Sequence, residues 1–344
     1  MRVLVAMSGG VDSSVAAALL AAEGHQVVGA TMKLWGGPSD SGCCSVADVD
    51  DARRVAQQLG IAHHVFNFSA EFDRDVVEPY VAGHQAGQTP NPCVACNRHL
   101  KFDRFAQRAR QLGFDAIATG HHARVRCVDG AWRLQRAADA AKDQSYVLHM
   151  LDQATLARLL LPVGELTKAE VRARAAEMGL RTAAKPDSQD VCFISRTGGR
   201  EAFLGARIAL RPGRLVDPDG VEVGKVDAVQ LVTVGQRRGL GSAPVTKAER
   251  RFALNVDLAS DTVTVGSIDQ LMVAQIELRD VTWVDAAVPA GTPVAVQASA
   301  HGQPLPGRWE GDRVVLDAPT RRVAPGQSVV LYDGDCVLGG GTAA

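Results

Sequence analysis

The string SGGVDSS, Ser8 to Ser14, constrains this chain more than any other feature, because it joins an apolar run, MRVLVAM, directly to an amphipathic one that opens at Val11. Glycines in such a turn let backbone N–H groups face an anion, serines add hydroxyl donors, and the following helix adds its positive end. The order strand, glycine loop, helix therefore predicts a phosphate cradle at the edge of a parallel sheet. The lysine of a Walker A loop is missing, which argues against a kinase-like or GTPase-like γ-phosphate site. Asp12 would repel phosphate unless it holds a cation or a substrate group, so Mg²⁺ is expected beside it.

Around that loop the first 200 or so residues alternate apolar strands with helical patterns, the signature of an α/β fold with a parallel sheet covered on both faces. Strands are expected at Val3 to Met7, Val27 to Met32, His64 to Phe68 and Ala116 to Thr119. Val15, Leu19 and Ala22 share a helix face that stops at Gly24; Val49, Ala52, Val55 and Leu59 share one that stops at Gly60. A further helix is expected from Lys168 to Met178. After about residue 205 the texture becomes short β-type runs such as TVTVG at 262, VAVQASA at 294, RVVLD at 313 and SVVLY at 328. The expected domains are a catalytic one over 1–204, a small β-rich one over 205–271 and a C-terminal β-barrel over 272–344.

The opening residues read as a buried strand and not a secretory leader, and no apolar run reaches the roughly 20 residues that span a bilayer. A cytoplasmic protein without a membrane partner is expected. Seven cysteines, at 43, 44, 93, 96, 127, 192 and 336, are odd in number and unevenly spaced, so most should be reduced thiols. Residues 94–136 hold nine Lys and Arg against three Asp and Glu, a local +6 in a chain whose total is −1. Arg98, Lys101, Arg104, Arg108 and Arg110 in that stretch suit either a solvated helix face or a surface for a polyanion.

SGGVDS is the PP-loop signature, and it resembles the ATP pyrophosphatases that adenylate a substrate and release pyrophosphate. The resemblance implies that Ala6, Met7, Ser8, Gly9, Gly10, Val11, Asp12 and Ser13 hold ATP, with Met32 beside the adenine and Gly120 against the nucleotide. GMP, NAD and argininosuccinate synthetases share the loop, so it does not choose the substrate. The rest of the chain resembles the tRNA-specific 2-thiouridylase family over almost its full length. The matching strings are GCCS at 42, DARRVAQQLGI at 51, TPNPCVACNRHLKF at 89, TGHHARV at 119, KDQSYVL at 142, PVGELTKAEVR at 162, DSQDVCFI at 187, TVGQRRGLG at 233 and PGQSVVLYDGDCVLGGG at 325.

Replacing a carbonyl oxygen with sulfur requires a better leaving group, which adenylation supplies, and a sulfur nucleophile, which a cysteine persulfide supplies. A second thiol then takes the carrier off by forming a disulfide. By the resemblance, Cys96 is the nucleophile and Cys192 carries the persulfide, loaded by a sulfur-donor protein such as a desulfurase or a sulfur relay protein. Arg98, His99 and Lys185 are the cations expected to lower a thiol pKa. Asn91, Pro92 and Cys93 should border a flipped uracil of the tRNA, and His121, Lys142, Asp143, Gln144 and Gln327 match tRNA-contacting positions. Where the family often has aspartate this chain has Cys93, which makes a C-x-x-C with Cys96. Three thiolates, Cys93, Cys96 and Cys192, would suffice for an iron–sulfur cluster with one open iron. Persulfide and disulfide chemistry is preferred, and no metal ligands are assigned. The competing readings are another PP-loop ligase acting on a small molecule, which leaves both cysteines without a role, and a nucleotide-gated RNA-binding module with no chemistry.

Overall fold

Alternate residues of the first strand feed two different cores, as a strand covered on both sides must. Val3 and Val5 pack with Val11 and Val15 of the first helix, whereas Leu4 and Ala6 pack with Phe72, Leu100 and Phe105 of the opposite layer. The computed structural model describes residues 1–34, 45–187, 191–195, 198–241 and 251–344, without the side chains of Cys192 and Ser195. Cys43 and Cys44 lie outside the described residues, and Cys192 is described in its backbone alone.

The first seven strands are β1 (Arg2–Ala6), β2 (Gln26–Lys33), β3 (Ala62–Asn67), β4 (Ala116–Ala118), β5 (Ala123–Val128), β6 (Ala131–Arg136) and β7 (Leu159–Leu160). Five of them form an all-parallel sheet in the order β3-β2-β1-β4-β7, so the order reverses between β1 and β4. A crevice outside the carboxyl ends of strands at such a reversal is where open α/β sheets bind ligands. Helix α1 (Val11–Ala22) follows β1 directly, and α2 (Val46–Gln58) follows β2. Ser45 starts α2 through a capping box, its hydroxyl accepting from the Asp48 N–H at 3.3 Å. Two longer helical runs, 69–85 and 92–111, cover the other face and contain the π-helical stretches Asp73–Val77 and Cys96–Phe105.

Strands β8 (Gly213–Val216), β9 (Glu222–Val226), β10 (Phe252–Asp257) and β11 (Thr262–Gly266) form a small sheet around Leu215, Val226, Ala253, Val263 and Val265. Strands β12 (Met272–Trp283), β13 (Thr292–Gln297), β14 (Leu305–Trp309), β15 (Arg313–Arg321), β16 (Ser328–Asp333) and β17 (Cys336–Ala343) close into a six-stranded barrel, because β17 pairs with both β16 and β12. The hairpin β5–β6 leaves the first domain to join this sheet, Gln135 facing Cys336. Its Asp129-Gly130 turn between alternating residues is a hairpin signal that the expected strands do not include. Among the described residues no helix is long and apolar enough to cross a membrane.

Candidate active site at the carboxyl edge of the parallel sheet

The loop after β1 and the loop after β4 meet at the order reversal. The first turn of α1 has no side-chain cap at Gly10, so no capping side chain competes for its leading N–H groups. Ser13 instead shapes the loop, its hydroxyl donating to the Gly10 carbonyl at 3.2 Å and accepting from the Ser8 N–H at 3.2 Å. Gly120 backs onto this turn so closely that a Cβ there would lie 2.5 Å from the Ser13 nitrogen. Met32 is buried at the end of β2, and the neighbouring Thr31 hydroxyl donates to the Met7 carbonyl at 2.8 Å, fixing the strand end to the loop. The predicted cradle residues Ala6 to Ser13, Met32 and Gly120 are thus gathered at one edge.

Asp12 has the cation that its position calls for, and it comes from the protein. Lys168, at the start of the helix Lys168–Glu177, donates to both Asp12 carboxylate oxygens at 2.7 Å, and His122 Nε2 lies 3.1 Å from one of them. Burial works against the Asp12 carboxylate, but the hydrogen bonds from His122 and Lys168 outweigh it and hold its pKa below the ordinary value. Lys168 also pairs with Asp187 at 3.0 Å, which Lys142 and Arg172 meet at 2.8 and 2.7 Å. Lys168, His122 and Asp187 carry no local sequence signal of this role, although the matching strings at 162, 119 and 187 contain them. Their partners lie 110 or more residues away for His122 and Lys168, beyond any local pattern.

The thiol side begins where Asn91 caps the helix Pro92–Ala95, its side chain accepting from the Cys93 N–H at 3.0 Å. Cys96 opens the π-helical stretch one residue later, and π-helical turns often mark functional positions. Burial pushes the Cys96 thiol pKa up, and the nearby Lys101 charge opposes this while Cys93 adds to it. Lys101, and not Arg98, His99 or Lys185, is therefore the cation acting on Cys96. Lys185 is engaged elsewhere, its ammonium donating to Asp48 and Asp51 at 2.8 Å and to the Gly9 carbonyl at 3.0 Å. None of Cys93, Cys96, Cys127 and Cys336 is in a disulfide. The helix Cys192–Ser195 is described, but the Cys192 side chain lies outside the described residues.

His121 connects the two halves. It is buried, its Nε2 accepts from the Lys101 ammonium at 3.3 Å, and its Nδ1 lies 2.7 Å from the Thr119 hydroxyl. Since Lys101 can only donate, Nδ1 carries the ring proton. Burial and then the Lys101 charge hold the His121 pKa well below its ordinary value, so the ring is neutral at pH 7. The other expected tRNA contacts divide by exposure. Lys142 and Gln144 are exposed, with the Gln144 side-chain carbonyl accepting from the His122 N–H at 2.9 Å. Asp143 is pinned by Arg136 at 3.0 Å and the Ser145 hydroxyl at 2.8 Å. Gln327 donates its side-chain amide to the Thr89 carbonyl, two residues before Asn91.

The basic stretch splits in two. On the hairpin, Arg124, Arg126, Arg133 and Arg136 are all paired with carboxylates. On the helical run, Arg104 and Arg108 make no ion pair among the described residues, and Arg108 is exposed over the Phe66 ring at 5.8 Å.

Comparison with known proteins covers all three parts of the chain. Residues 1–196 match the family model described as tRNA methyl transferase HUP domain, 201–267 the tRNA methyl transferase PRC-barrel domain, and 273–343 the Aminomethyltransferase beta-barrel domain. The chain is 48% identical to the tRNA-specific 2-thiouridylase MnmA of Chloroflexus aggregans, covering 100% of this chain and 98% of that protein. It is 44% identical to the protein of the same description from Roseiflexus castenholzii, over 100% and 99% of the two chains. Against that of Mycolicibacterium smegmatis it is 46% identical over 99% of each.

Proposed function

The chain belongs to the tRNA-specific 2-thiouridylase family, and from that premise we propose that it is an ATP-dependent sulfurtransferase that replaces the C2 oxygen of the wobble uridine of tRNA with sulfur. The observation that carries the reading is the tripeptide 120–122. Gly120 backs onto Ser13, His121 holds Lys101 beside Cys96, and His122 reaches Asp12. Nucleotide loop and thiol therefore share one rigid strap, as a reaction that first adenylates a base and then attacks it with sulfur requires.

In the first step the uracil C2 oxygen attacks the α-phosphorus of ATP, and pyrophosphate leaves. The N–H groups at the start of α1 face the phosphates, and Lys168 is placed to move from Asp12 onto the charge that develops on the leaving group. With Lys168 moved off its carboxylate, Asp12 is the residue that would hold Mg²⁺, and the ion would neutralise phosphate charge there. In the second step the terminal sulfur of a Cys192 persulfide attacks C2 and AMP leaves. Cys96 thiolate then attacks the Cys192 sulfur, the bond from Cys192 to the transferred sulfur breaks, and the sulfur stays on C2 with the electron pair. The Cys96–Cys192 disulfide that remains takes two electrons from two external thiols, which leave as their own disulfide, before the next turnover. A desulfurase or relay protein would reload Cys192, in the cytoplasm. Asn91, Pro92 and Cys93 border the flipped base, with Lys142, Gln144 and Gln327 on the surrounding tRNA and the buried His121 and the paired Asp143 supporting that surface from behind, and the domains are taken as 1–204, 205–271 and 272–344.

A second reading rests on Cys93 and Cys96 opening the same helical run with neither in a disulfide. These two thiolates and Cys192 would hold an iron–sulfur cluster, and iron analysis of anaerobically prepared protein decides between the two. The primary test incubates the protein with tRNA, ATP and a sulfide source and analyses the nucleosides by mass spectrometry. The expected products are 2-thiouridine, AMP and pyrophosphate; release of ADP and phosphate overturns the reading.

A further inference from the structure

We infer that the barrel turn 325–328 is a positioning element for the sulfur-transfer step, holding the loop that carries Asn91, Pro92 and Cys93 in its reactive register. This rests on the site assignment above and goes beyond it, because it gives the barrel a part in the chemistry in addition to any contact with RNA.

Both backbone groups of Thr89 are taken by this one turn. The Thr89 N–H donates to the Pro325 carbonyl at 2.7 Å, and the Thr89 carbonyl accepts from the Gln327 side-chain amide. Between them Gly326 has φ +90°, and a Cβ there would lie 3.0 Å from the Thr89 nitrogen, 3.1 Å from Gln88 Cβ and 3.2 Å from the Pro90 nitrogen. The turn is itself tied to the last strand, the Gly326 N–H donating to the Ala343 carbonyl at 3.0 Å and the Ala343 N–H to the Gln327 carbonyl at 2.8 Å. One residue on, the Ser328 carbonyl accepts from the buried Tyr146 hydroxyl at 2.7 Å, and the Asn91 side chain lies close enough to that hydroxyl to work against the rise in its pKa that burial causes. The central sheet domain reaches the loop as well, since the Thr89 hydroxyl meets that of Thr233 at 3.5 Å and Arg200 donates to the latter at 3.2 Å.

The loop transmits what is done to it. Pro90 packs on Gly83, where a Cβ would come within 2.7 Å of its ring, and Pro92 follows two residues later. Each proline restricts the residue before it, and Asn91 caps the helix that leads into Cys96. A shift at Thr89 therefore has little slack in which to dissipate before Cys93 and Cys96. Thr89, Tyr146 and Gly326 are positioning residues, since none of them is assigned a contact with the reacting atoms.

The experiment compares Gly326→Ala, Tyr146→Phe and Cys96→Ser with the unaltered full-length protein. It measures single-turnover thiolation at saturating tRNA and ATP, tRNA affinity by filter binding, ATP KM and thermal midpoint. Displacing the loop by a few tenths of an ångström is expected to lower the single-turnover rate in Gly326→Ala by about 10-fold or more, toward the roughly 10²-fold cost of a 1 Å misplacement. tRNA Kd and ATP KM should stay within about threefold, the pattern of an interaction made only in the transition state. Tyr146→Phe, which keeps the ring and loses only the hydroxyl, should fall in the same direction, and it decides the matter if Gly326→Ala does not fold. Loss of tRNA affinity with kcat retained would make the turn an RNA contact only, and unchanged kcat and affinity in both variants would leave it without a role; either overturns the inference. Full activity in Cys96→Ser would instead overturn the site assignment itself, and so the two failures are distinguishable.

Discussion

Lys168 brings a cation from a distant helix to the glycine loop, where it pairs with Asp12, and the consequences can be tested one side chain at a time. Lys168→Met should leave Asp12 uncompensated and lower ATP-dependent thiolation by about 10²-fold or more, with Asp12→Asn equally inactive, because both act on charge that develops during phosphoryl chemistry. Pyrophosphate release at near-normal rates in either variant would remove them from the nucleotide site. A different pair of residues contributes to the acid limit of stability. Burial, together with the Arg200 charge at His84 and against a Tyr146 carbonyl bond at His149, depresses both histidines to a pKa of about 4. An unfolded histidine titrates near 6.5, so between about pH 6.5 and 4 the unfolded chain binds more protons and stability falls as pH falls. Each histidine should contribute up to about 3 kcal/mol to that loss. Urea midpoints at pH 7 and pH 5 check the slope, which should flatten in His84→Gln and His149→Gln.

At the scale of elements, the helical run 92–111 carries the charge that the hairpin has neutralised. Arg104→Glu with Arg108→Glu should weaken tRNA binding and flatten the plot of log affinity against log salt by about 0.9 for each phosphate no longer neutralised. An unchanged slope would make this run a solvated face. The sequence located this element by its charge count but could not say which arginines were spent, because the partners Glu165, Asp285 and Asp335 come from other segments. The strands and helices around the glycine loop were legible because their signals are local. The expected helix from Lys168 to Met178 is found over Lys168–Glu177, and the expected strand Val3 to Met7 over Arg2–Ala6. For the site, the phosphate loop is expected from its glycines and serines and Cys96 from the family resemblance, while the links through His122, Lys168 and Lys101 depend on tertiary approach. The hairpin β5–β6 has a local signal in its Asp129-Gly130 turn that the expected strands leave out, whereas its pairing with β17, some 200 residues further on, has none.

In the whole molecule the first domain and the barrel share a core. Leu134, Tyr146 and Leu148 pack in the same cluster as Val330, Tyr332 and Val337, and Arg136 lies over the Tyr332 ring at 3.7 Å. A chain ending at residue 271 should therefore expose this apolar surface, bind a hydrophobic dye and unfold without a cooperative transition. A soluble fragment of that length with a sharp melting transition would show the domains to be independent. Because the turn that holds Thr89 begins at Pro325, 236 residues later, the brace on the base loop is also ordered in time. At 5–20 residues per second the ribosome leaves a gap of roughly 10–50 s between the two. A nascent chain thus has its glycine loop and Cys96 long before the barrel turn can reach the Thr89 backbone, and, with that turn in the positioning role inferred above, translation itself postpones sulfur chemistry until the barrel has emerged.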